Sequence, residues 1–274
     1  MLIERGTGRD PFHKDQFGFS RGRGTLEALN RTVAVAEDCR RKGLVCVLIA
    51  LDVKNAFSTL RLESILEEAH RRRPPGRLQE LIRDYLTDRR IITNSRDGVI
   101  RRRVGAGVPQ GSVLGPLLWN LVYDGILETL DREKDIEVVA FADDLAVLLK
   151  ARESLGIEDR IRAVIGTATR WCSDAGLHMA REKTEISTSM TVKYLGVWLD
   201  NAREFSPHLE SACEKAERFL GAIRGLLPNV NGPKDVVRRL YYGVWESSVL
   251  YGAPIWASSL DRDSLVQLFS PLVP

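Results

Sequence analysis

The sequence predicts an α+β fold that gives way to a purely helical segment. Three features carry this reading. Leu44-Val45-Cys46-Val47-Leu48-Ile49-Ala50-Leu51 is an unbroken apolar, β-rich run ending at Asp52, as expected of a strand buried on both faces. Two further pairs of short apolar runs are separated by turn-forming residues, at 91–100 and 136–149, with helix-period segments between them. Beyond about residue 202 only helical periodicity remains, so a subdomain boundary is expected there.

Taken in order, the chain up to Ser20 has no periodicity and reads as loop. Leu26, Leu29, Val33 and Ala36 then recur at helical spacing, with Thr25 as N-cap and Gly43 as terminator. After the strand 44–51, Leu62, Ile65, Leu66 and Ala69 mark a helix stopped by Pro74-Pro75, and Leu78, Leu81, Ile82 and Tyr85 mark another. Ile91-Ile92-Thr93 and Val99-Ile100 flank a turn at Ser95-Arg96-Asp97-Gly98. A Gly-rich loop leads into a long buried helix over Val113–Leu130, followed by the hairpin 136–141 and 145–149 around Ala142-Asp143-Asp144. Ile161, Val164, Ile165, Ala168 and Trp171 give a helix closed by Gly176, and Thr191–Leu199 reads as one strand. Ser206-Pro207 predicts a helix start with Ser as N-cap and Pro at the first position. That helix runs to Pro228, and another begins at Pro233.

With 274 residues, 44% hydrophobic and 28% charged, the chain can bury a sizeable core. No apolar run reaches the ~18–20 residues of a membrane span, and the polar start Met1–Asp10 is not a secretory signal. Cys39, Cys46, Cys172 and Cys213 lie far apart, which argues against a zinc knuckle or a disulfide scaffold and favours a reducing, intracellular setting. The net charge is only +3, but Arg outnumbers Lys and forms the triplets Arg71-Arg72-Arg73 and Arg101-Arg102-Arg103. Arginine suits phosphate, although a solvated surface accounts for either triplet taken singly. His13, His70, His178 and His208 share no metal-ligand spacing, and Trp171 and Trp245 lie on apolar helical faces as core residues.

The carboxylates carry the chemistry. Asp52 ends a buried strand, and Asp143 and Asp144 sit at the tip of an apolar hairpin. Acids beside buried strands are costly without compensating positive charge. Singly, Asp52 reads as a strand terminator and the pair as an ordinary turn. Jointly they point to a divalent-cation site, since Mg²⁺ takes oxygen ligands and phosphates.

These residues also carry a family resemblance. Phe141-Ala142-Asp143-Asp144 resembles the aromatic-x-Asp-Asp box of reverse transcriptases, and Ala50–Phe57 resembles the box with their first metal-binding aspartate. Gly107-Val108-Pro109-Gln110-Gly111-Ser112-Val113-Leu114-Gly115-Pro116-Leu117 resembles the intervening template–nucleotide box, in the form found in non-LTR (LINE-type) retrotransposons rather than intron maturases. Gln16-Phe17-Gly18-Phe19 resembles the fingers box, and Gly176-Leu177 through Lys183-Thr184-Glu185 the lysine box. Tyr194-Leu195-Gly196-Val197 resembles the primer grip, and the helices through Val249-Leu250-Tyr251-Gly252 resemble the thumb. The boxes fall in the family's order over roughly residues 12–258, with wording near Asp52 and Lys183 similar to arthropod elements.

The resemblance implies a right-hand polymerase: partial fingers over 1–43, a palm over 44–202 with an embedded fingers segment at about 60–105, and a helical thumb over 203–274. It implies RNA-directed DNA synthesis on RNA template, DNA primer and deoxynucleoside triphosphates, with two Mg²⁺ ions (or Mn²⁺) held by Asp52, Asp143, Asp144 and the Val53 carbonyl. Phe57 would be the steric gate against a 2′-hydroxyl, Gln110 and Gly111 would contact template or nucleotide, and Lys183 would serve the pyrophosphate. Tyr194, Leu195 and Gly196 would position the primer. Where the fingers box continues as Ser20 to Gly24, the family would carry Arg at 20 and Ser at 24. The upstream finger strands, an endonuclease and a Cys/His knuckle are expected outside this chain, as for part of a larger polyprotein in a nuclear or cytoplasmic ribonucleoprotein. The alternative is a truncated, inactive remnant that at most binds RNA or hybrid.

Overall fold

The chain divides into two units, residues 1–188 and 189–274. The structure, a computed structural model, describes residues 12–96, 98–187, 191–200, 205–224 and 235–259. In the first unit, α1 (Thr25–Arg41) leads into β1 (Val45–Leu51). The short β2 (Val53–Lys54), one turn of helix α2 (Ala56–Thr59), α3 (Leu62–Arg71) and α4 (Gly76–Leu86) follow. Then come the ribbon β3 (Arg90–Ser95) and β4 (Gly98–Arg103), the long α5 (Gly115–Asp131), and the hairpin β5 (Ile136–Phe141) and β6 (Asp144–Ala151). Helix α6 (Ile157–Asp174), β7 (His178–Met179) and β8 (Glu185–Ser187) complete the unit.

The central sheet has the order β5-β6-β1-β8, antiparallel throughout. Val47, Ile49 and Leu51 share one face with Val138, Val147 and Leu149, and join a single core with α3, α4, α5 and α6. Leu48, Val139, Ala146 and Leu148 are buried on the opposite face. There α1 packs on β1, β5 and β6 with its own buried Ala28, Leu29, Val35 and Cys39. Burial on both sides is why 44–51 shows no alternation. Each fully buried Val, Leu or Ile contributes about 1.5–3 kcal/mol, so apolar residues fill the sheet's interior and charge is confined to its ends.

In the second unit β9 (Thr191–Tyr194) and β10 (Val197–Asp200) pair antiparallel, with helices α7 (Ser206–Arg224), α8 (Asp235–Val249) and α9 (Ala253–Trp256). The run read as one strand over 191–199 is therefore a hairpin. Leu195 (φ 47°) and Gly196 (φ 81°) form its two-residue turn, the positive-φ pair that a tight hairpin requires. Only Gly196 signalled it. The unit boundary falls ahead of this hairpin, before residue 202.

Three helix starts also shift. Gly24, not Thr25, occupies the N-cap of α1, and Thr25 is its first residue. Helix α5 begins at Gly115, whose N–H donates to the Ser112 hydroxyl at 3.0 Å, so Ser112 caps the turn ahead of it. Ser206 is the first residue of α7; Phe205 precedes it with φ 52°, and the Leu209 N–H donates to the Phe205 carbonyl at 3.0 Å. The Asp200 carboxylate fixes this entrance by accepting the Phe205 N–H at 2.7 Å. Asp97, Pro228 and Pro233, read as turn and helix limits, lie outside the described residues.

The four cysteines are free thiols. Trp171 sets its ring edge on Tyr123 at 6.0 Å, as a core residue should, and Trp245 is half-buried beside Tyr242. The first arginine triplet is not merely solvated surface: Arg72 pairs with Glu68 at 2.8 Å and with the buried Asp124 at 2.6 Å, tying α3 to α5. No helix among the described residues is long and apolar enough to cross a membrane.

Candidate active site

Strand register builds the site. Leu51 pairs with Leu145 and Phe141 with Asp144, so Asp52 and the Asp143–Asp144 tip meet at one end of the sheet. The β5–β6 turn has only Ala142 and Asp143 at its apex, and Ala142 adopts φ 58°, a left-handed conformation costly for a residue with a Cβ. Something must hold it. Trp119 Nε1 donates to the Ala142 carbonyl at 3.0 Å, and the Tyr123 hydroxyl donates to the Asp143 carbonyl at 3.0 Å. These aromatics are four residues apart on α5, hence on one face, and stack with centroids 4.8 Å apart.

The segment 15–19 clamps the other side. Phe17 N–H donates to the Ala140 carbonyl at 2.8 Å, and Ala140 N–H to the Asp15 carbonyl at 2.9 Å, adding a short parallel bridge to β5. Gly18 then lies against the tip, where a Cβ would overlap the Ala142 backbone nitrogen. Buried Asn120 holds it by donating Nδ2 to the Gly18 carbonyl at 2.8 Å. Trp119, Asn120 and Tyr123 were not singled out from the sequence as site residues. Their only signal was polar-tipped side chains within the apolar run Leu117–Tyr123.

The carboxylates strain against each other. Burial pushes Asp143 upward, and the negative charge of Asp52 adds to it. Asp144 is pushed up to about 6, first by desolvation and then by Asp143 and Asp52. Its side chain reaches solvent, yet the crowded sheet end strips part of its water. Lys183, on a 3₁₀ turn at Arg181–Lys183, sets its ammonium 2.6 Å from Asp52 Oδ2. That hydrogen bond and charge raise the Lys183 pKa. The turn is placed by β2–β7 pairing, Val53 with Met179, and by the Ala180 N–H donating to the Asp52 carbonyl at 2.8 Å.

The structure thus unites Asp52, Asp143, Asp144 and Lys183, with Val53 buried next in line. Phe57 is half-buried on α2, stacked on Trp119 at 5.4 Å and edge-on to Phe19 at 5.8 Å. It is therefore joined to the ring that holds the tip. Gln110 and Gly111 are exposed on the loop before α5, Gly111 with φ 81°. Tyr194, Leu195 and Gly196 belong to the second unit, where the Tyr251 hydroxyl donates to the Leu195 carbonyl at 2.8 Å. A Cβ on Gly196 would meet the Tyr251 ring at 3.0 Å. His208 is a packing residue, its ring nitrogen 3.3 Å from the Tyr251 carbonyl.

The reverse transcriptase (RNA-dependent DNA polymerase) family profile matches residues 3–199. The chain belongs to the reverse transcriptase family. It is 24% identical, over 90% of its length, to a putative 115 kDa protein in the type-1 retrotransposable element R1DM of Drosophila melanogaster, of which it spans 26%. It is 29% identical, over 72% of its length, to the RNA-directed DNA polymerase from mobile element jockey of the same fly, spanning 24% of that protein. Among solved structures, apo telomerase from Candida tropicalis aligns with TM-score 0.58 at 14% identity, over 73% of this chain and 38% of that one. Telomerase from Candida albicans, in complex with a telomeric RNA fragment, aligns with TM-score 0.57 at 11% identity over 99% of this chain and 48% of that one. The chain therefore spans about a quarter of the curated relatives' length.

Reverse transcriptases generally use divalent metal ions. Among the described residues, no three His, Cys, Asp or Glu side chains are already gathered tightly enough to hold one. The donor set nevertheless fits in kind: hard carboxylate oxygens, mutually repelling and partly desolvated, are what a divalent cation relieves.

Two outcomes follow. In the metal-free protein Asp144 binds its proton more tightly when folded than at its ordinary 3.8. Stability held below pH 4 is therefore lost as pH rises through about 6. Asp144→Asn should remove that loss, so the variant's advantage in thermal melts grows between pH 4 and 7; a pH-independent difference would refute the crowding. Gly18→Ala forces a methyl into the tip backbone and should destabilise by about 1–3 kcal/mol in urea titrations, whereas wild-type stability would show that the clamp is not tight.

Proposed function

We propose that the chain is the polymerase core of a non-LTR retrotransposon reverse transcriptase, copying RNA into DNA. The observation that carries this is the meeting of Asp52, Asp143 and Asp144 at one sheet end with Lys183 on Asp52, in a chain of this family. In this reading the primer 3′-oxygen bonds to the α-phosphorus of a deoxynucleoside triphosphate, and the α–β phosphate bridge breaks to release pyrophosphate. Two Mg²⁺ ions, held by Asp52, Asp143, Asp144 and the Val53 carbonyl, would supply positive charge to the attacking and leaving oxygens.

The remaining roles fall to this chain's own groups. Lys183, already held at the site by Asp52, neutralises or protonates the departing pyrophosphate. Gln110 and Gly111, on an exposed loop ahead of a helix start, offer backbone and amide contacts to template or nucleotide. The Phe57 ring, propped by Trp119, closes the space under C2′ of the sugar. The Tyr194–Gly196 turn, braced by Tyr251, bears on the primer. The palm spans 44–202, with partial fingers over 1–43 and at about 60–105 and the thumb beyond 203. The grip hairpin itself belongs to the second unit.

Primer extension on an RNA template with a DNA primer tests the reading. Asp143→Asn should fold normally and lose about a hundredfold or more in rate, since a ligand to the reacting charge is worth several kcal/mol. Normal extension by that variant would sink the assignment, and a folded wild-type chain that binds hybrid but never extends would favour the inactive remnant.

Phe57→Val trims the ring while staying apolar. It should cost on the order of 1–3 kcal/mol of stability and lower discrimination against ribonucleotides about tenfold, read as the ratio of kcat/KM for the two sugars. An unchanged ratio would leave Phe57 as a core aromatic only.

A further inference from the structure

The polymerase roles leave unused the end of the central sheet opposite the acids. The start of β1, the start of β5 and the end of β6 meet there, Val45 beside Ala151 and Ile136 beside Leu149. At the rise of a β-strand this end stands on the order of 20 Å from Asp52. With the first turn of α6 it surrounds an open cleft of about 960 Å³. Five cations, Lys42, Lys134, Lys150, Arg152 and Arg160, line that cleft against one carboxylate, Asp135. A cleft dominated by one sign of charge concentrates its field on whatever enters.

The cations are available to a ligand. Lys134 and Arg152 are exposed, and their side chains have no partner among the described residues. Lys42 pairs with Asp38 at 2.6 Å, but Arg41 also reaches Asp38, at 3.3 Å. Lys150 pairs with Glu137 at 2.7 Å, and Arg31 holds the same carboxylate at 2.7 Å. Either lysine can therefore turn to a new anion without leaving its acid unpaired. Asp135 lies 3.9 Å from Arg160, which leaves the other four cations without an acid inside the cleft.

The floor is already in place. The Arg160 guanidinium donates to the carbonyls of Lys150 and Lys134, each at 3.0 Å. The Lys150 N–H donates to the Asp135 carbonyl at 2.8 Å, with Asp135 held at φ 61° between them. Lys134 and Arg160 also wall a second, smaller pocket of about 100 Å³, to which Ile136, Leu149, Ala163 and Val164 give apolar surface. That pocket has room for one branched aliphatic side chain. A cationic groove and a single apolar socket thus lie side by side, sharing two residues.

We propose that this cleft docks an acidic peptide segment of a partner protein, one aliphatic side chain seated in the socket and the flanking carboxylates on Lys134, Arg152 and the cleft lysines. Charge complementarity selects an anion. The socket selects a peptide, because neither a sugar–phosphate backbone nor a free phosphate carries an aliphatic group to fill it. An extended acidic chain points successive side chains to opposite sides, so one residue can enter the socket while its neighbours reach the groove. The site lies at the far end of the sheet from the carboxylates and does not depend on the polymerase reading.

The test uses the whole chain and two fluorescein-labelled octapeptides of Asp and Glu, one with a single central leucine and one with alanine in its place, followed by anisotropy at low salt. The leucine peptide should bind, more weakly as salt rises, and about tenfold more tightly than the alanine peptide. Lys134→Gln/Arg152→Gln should weaken it about tenfold, as the loss of two partly exposed ion pairs would. Arg162→Gln/Arg170→Gln removes equal charge from α6 outside the cleft and should change little. Ala163→Leu fills the socket from an exposed position and should abolish the preference for leucine. No binding by wild type, equal affinity for the two peptides, or equal losses from both Gln pairs would overturn the proposal. So would tighter binding of an oligouridylate of equal charge, or of inorganic triphosphate, that depends on Lys134 and Arg152, since the cleft would then be a phosphate site. The assay involves no primer extension, so its failure and the failure of the polymerase reading are separate outcomes.

Discussion

The site depends on a left-handed turn that the rest of the first unit keeps in place. Ala142 holds φ 58° at the apex of β5–β6, and the carboxylates beside it repel. Left alone, such a tip would relax outward. Trp119 and Tyr123 capture its two carbonyls, and the Gly18 segment seals its flank. Because α5 also supplies much of the core, the geometry of the aspartates is tied to the packing of the unit.

The same coupling reaches outward from α5. Phe57 stacks on Trp119, and the Phe57 carbonyl accepts the Val108 N–H. The loop 104–111 carries the ribbon at one end and Gln110 and Gly111 at the other. A Cβ on Gly107 would stand 2.6 Å from the carbonyls of Phe57 and Ser58, so this loop can lie on α2 only with glycine there. Aromatic stacking, backbone hydrogen bonds and one close glycine contact thus join the acid tip, the half-buried ring and the ribbon's root into one continuous set of contacts. In the second unit Tyr251 plays a comparable part, bracing the Leu195–Gly196 turn.

Much of this was legible in the sequence, for identifiable reasons. Strand β1 announced itself because burial on both faces demands an uninterrupted apolar run, and the acids stood out because charge is expensive beside such a run. The hairpin 136–151 and the helices of the first unit followed from periodicity. What escaped was set by tertiary contact or by single dihedrals. The break at Leu195–Gly196 was hidden because strand-forming residues, Val192, Tyr194, Val197 and Trp198, flank it on both sides. Gly24 displaced Thr25 as a cap without any side-chain hydrogen bond, so capping chemistry could not have found it. Trp119, Asn120 and Tyr123 look like ordinary core residues until the hairpin they hold is placed against them. The two arginine triplets read alike in sequence. Arg72 is internal, paired with Asp124, while Arg101 is exposed on a strand, and only the partner elements distinguish them.

Lys183 shows how the metal-free site remains intact. Three carboxylates at a sheet end need positive charge nearby, and the Lys183 ammonium supplies it at 2.6 Å from Asp52. The lysine is exposed and its stem flexible, so water and salt screen the pair and it exchanges readily. The contact is made to Asp52 and leaves Asp143 and Asp144 with their raised proton affinity. The compensation is therefore partial. The 3₁₀ turn is held by β2–β7 pairing and by the Ala180 N–H on the Asp52 carbonyl, while negative charge stays uncompensated at the tip. A stronger, buried pair would have satisfied the acids fully and removed their tendency to take up a cation. A weak, displaceable one preserves that tendency.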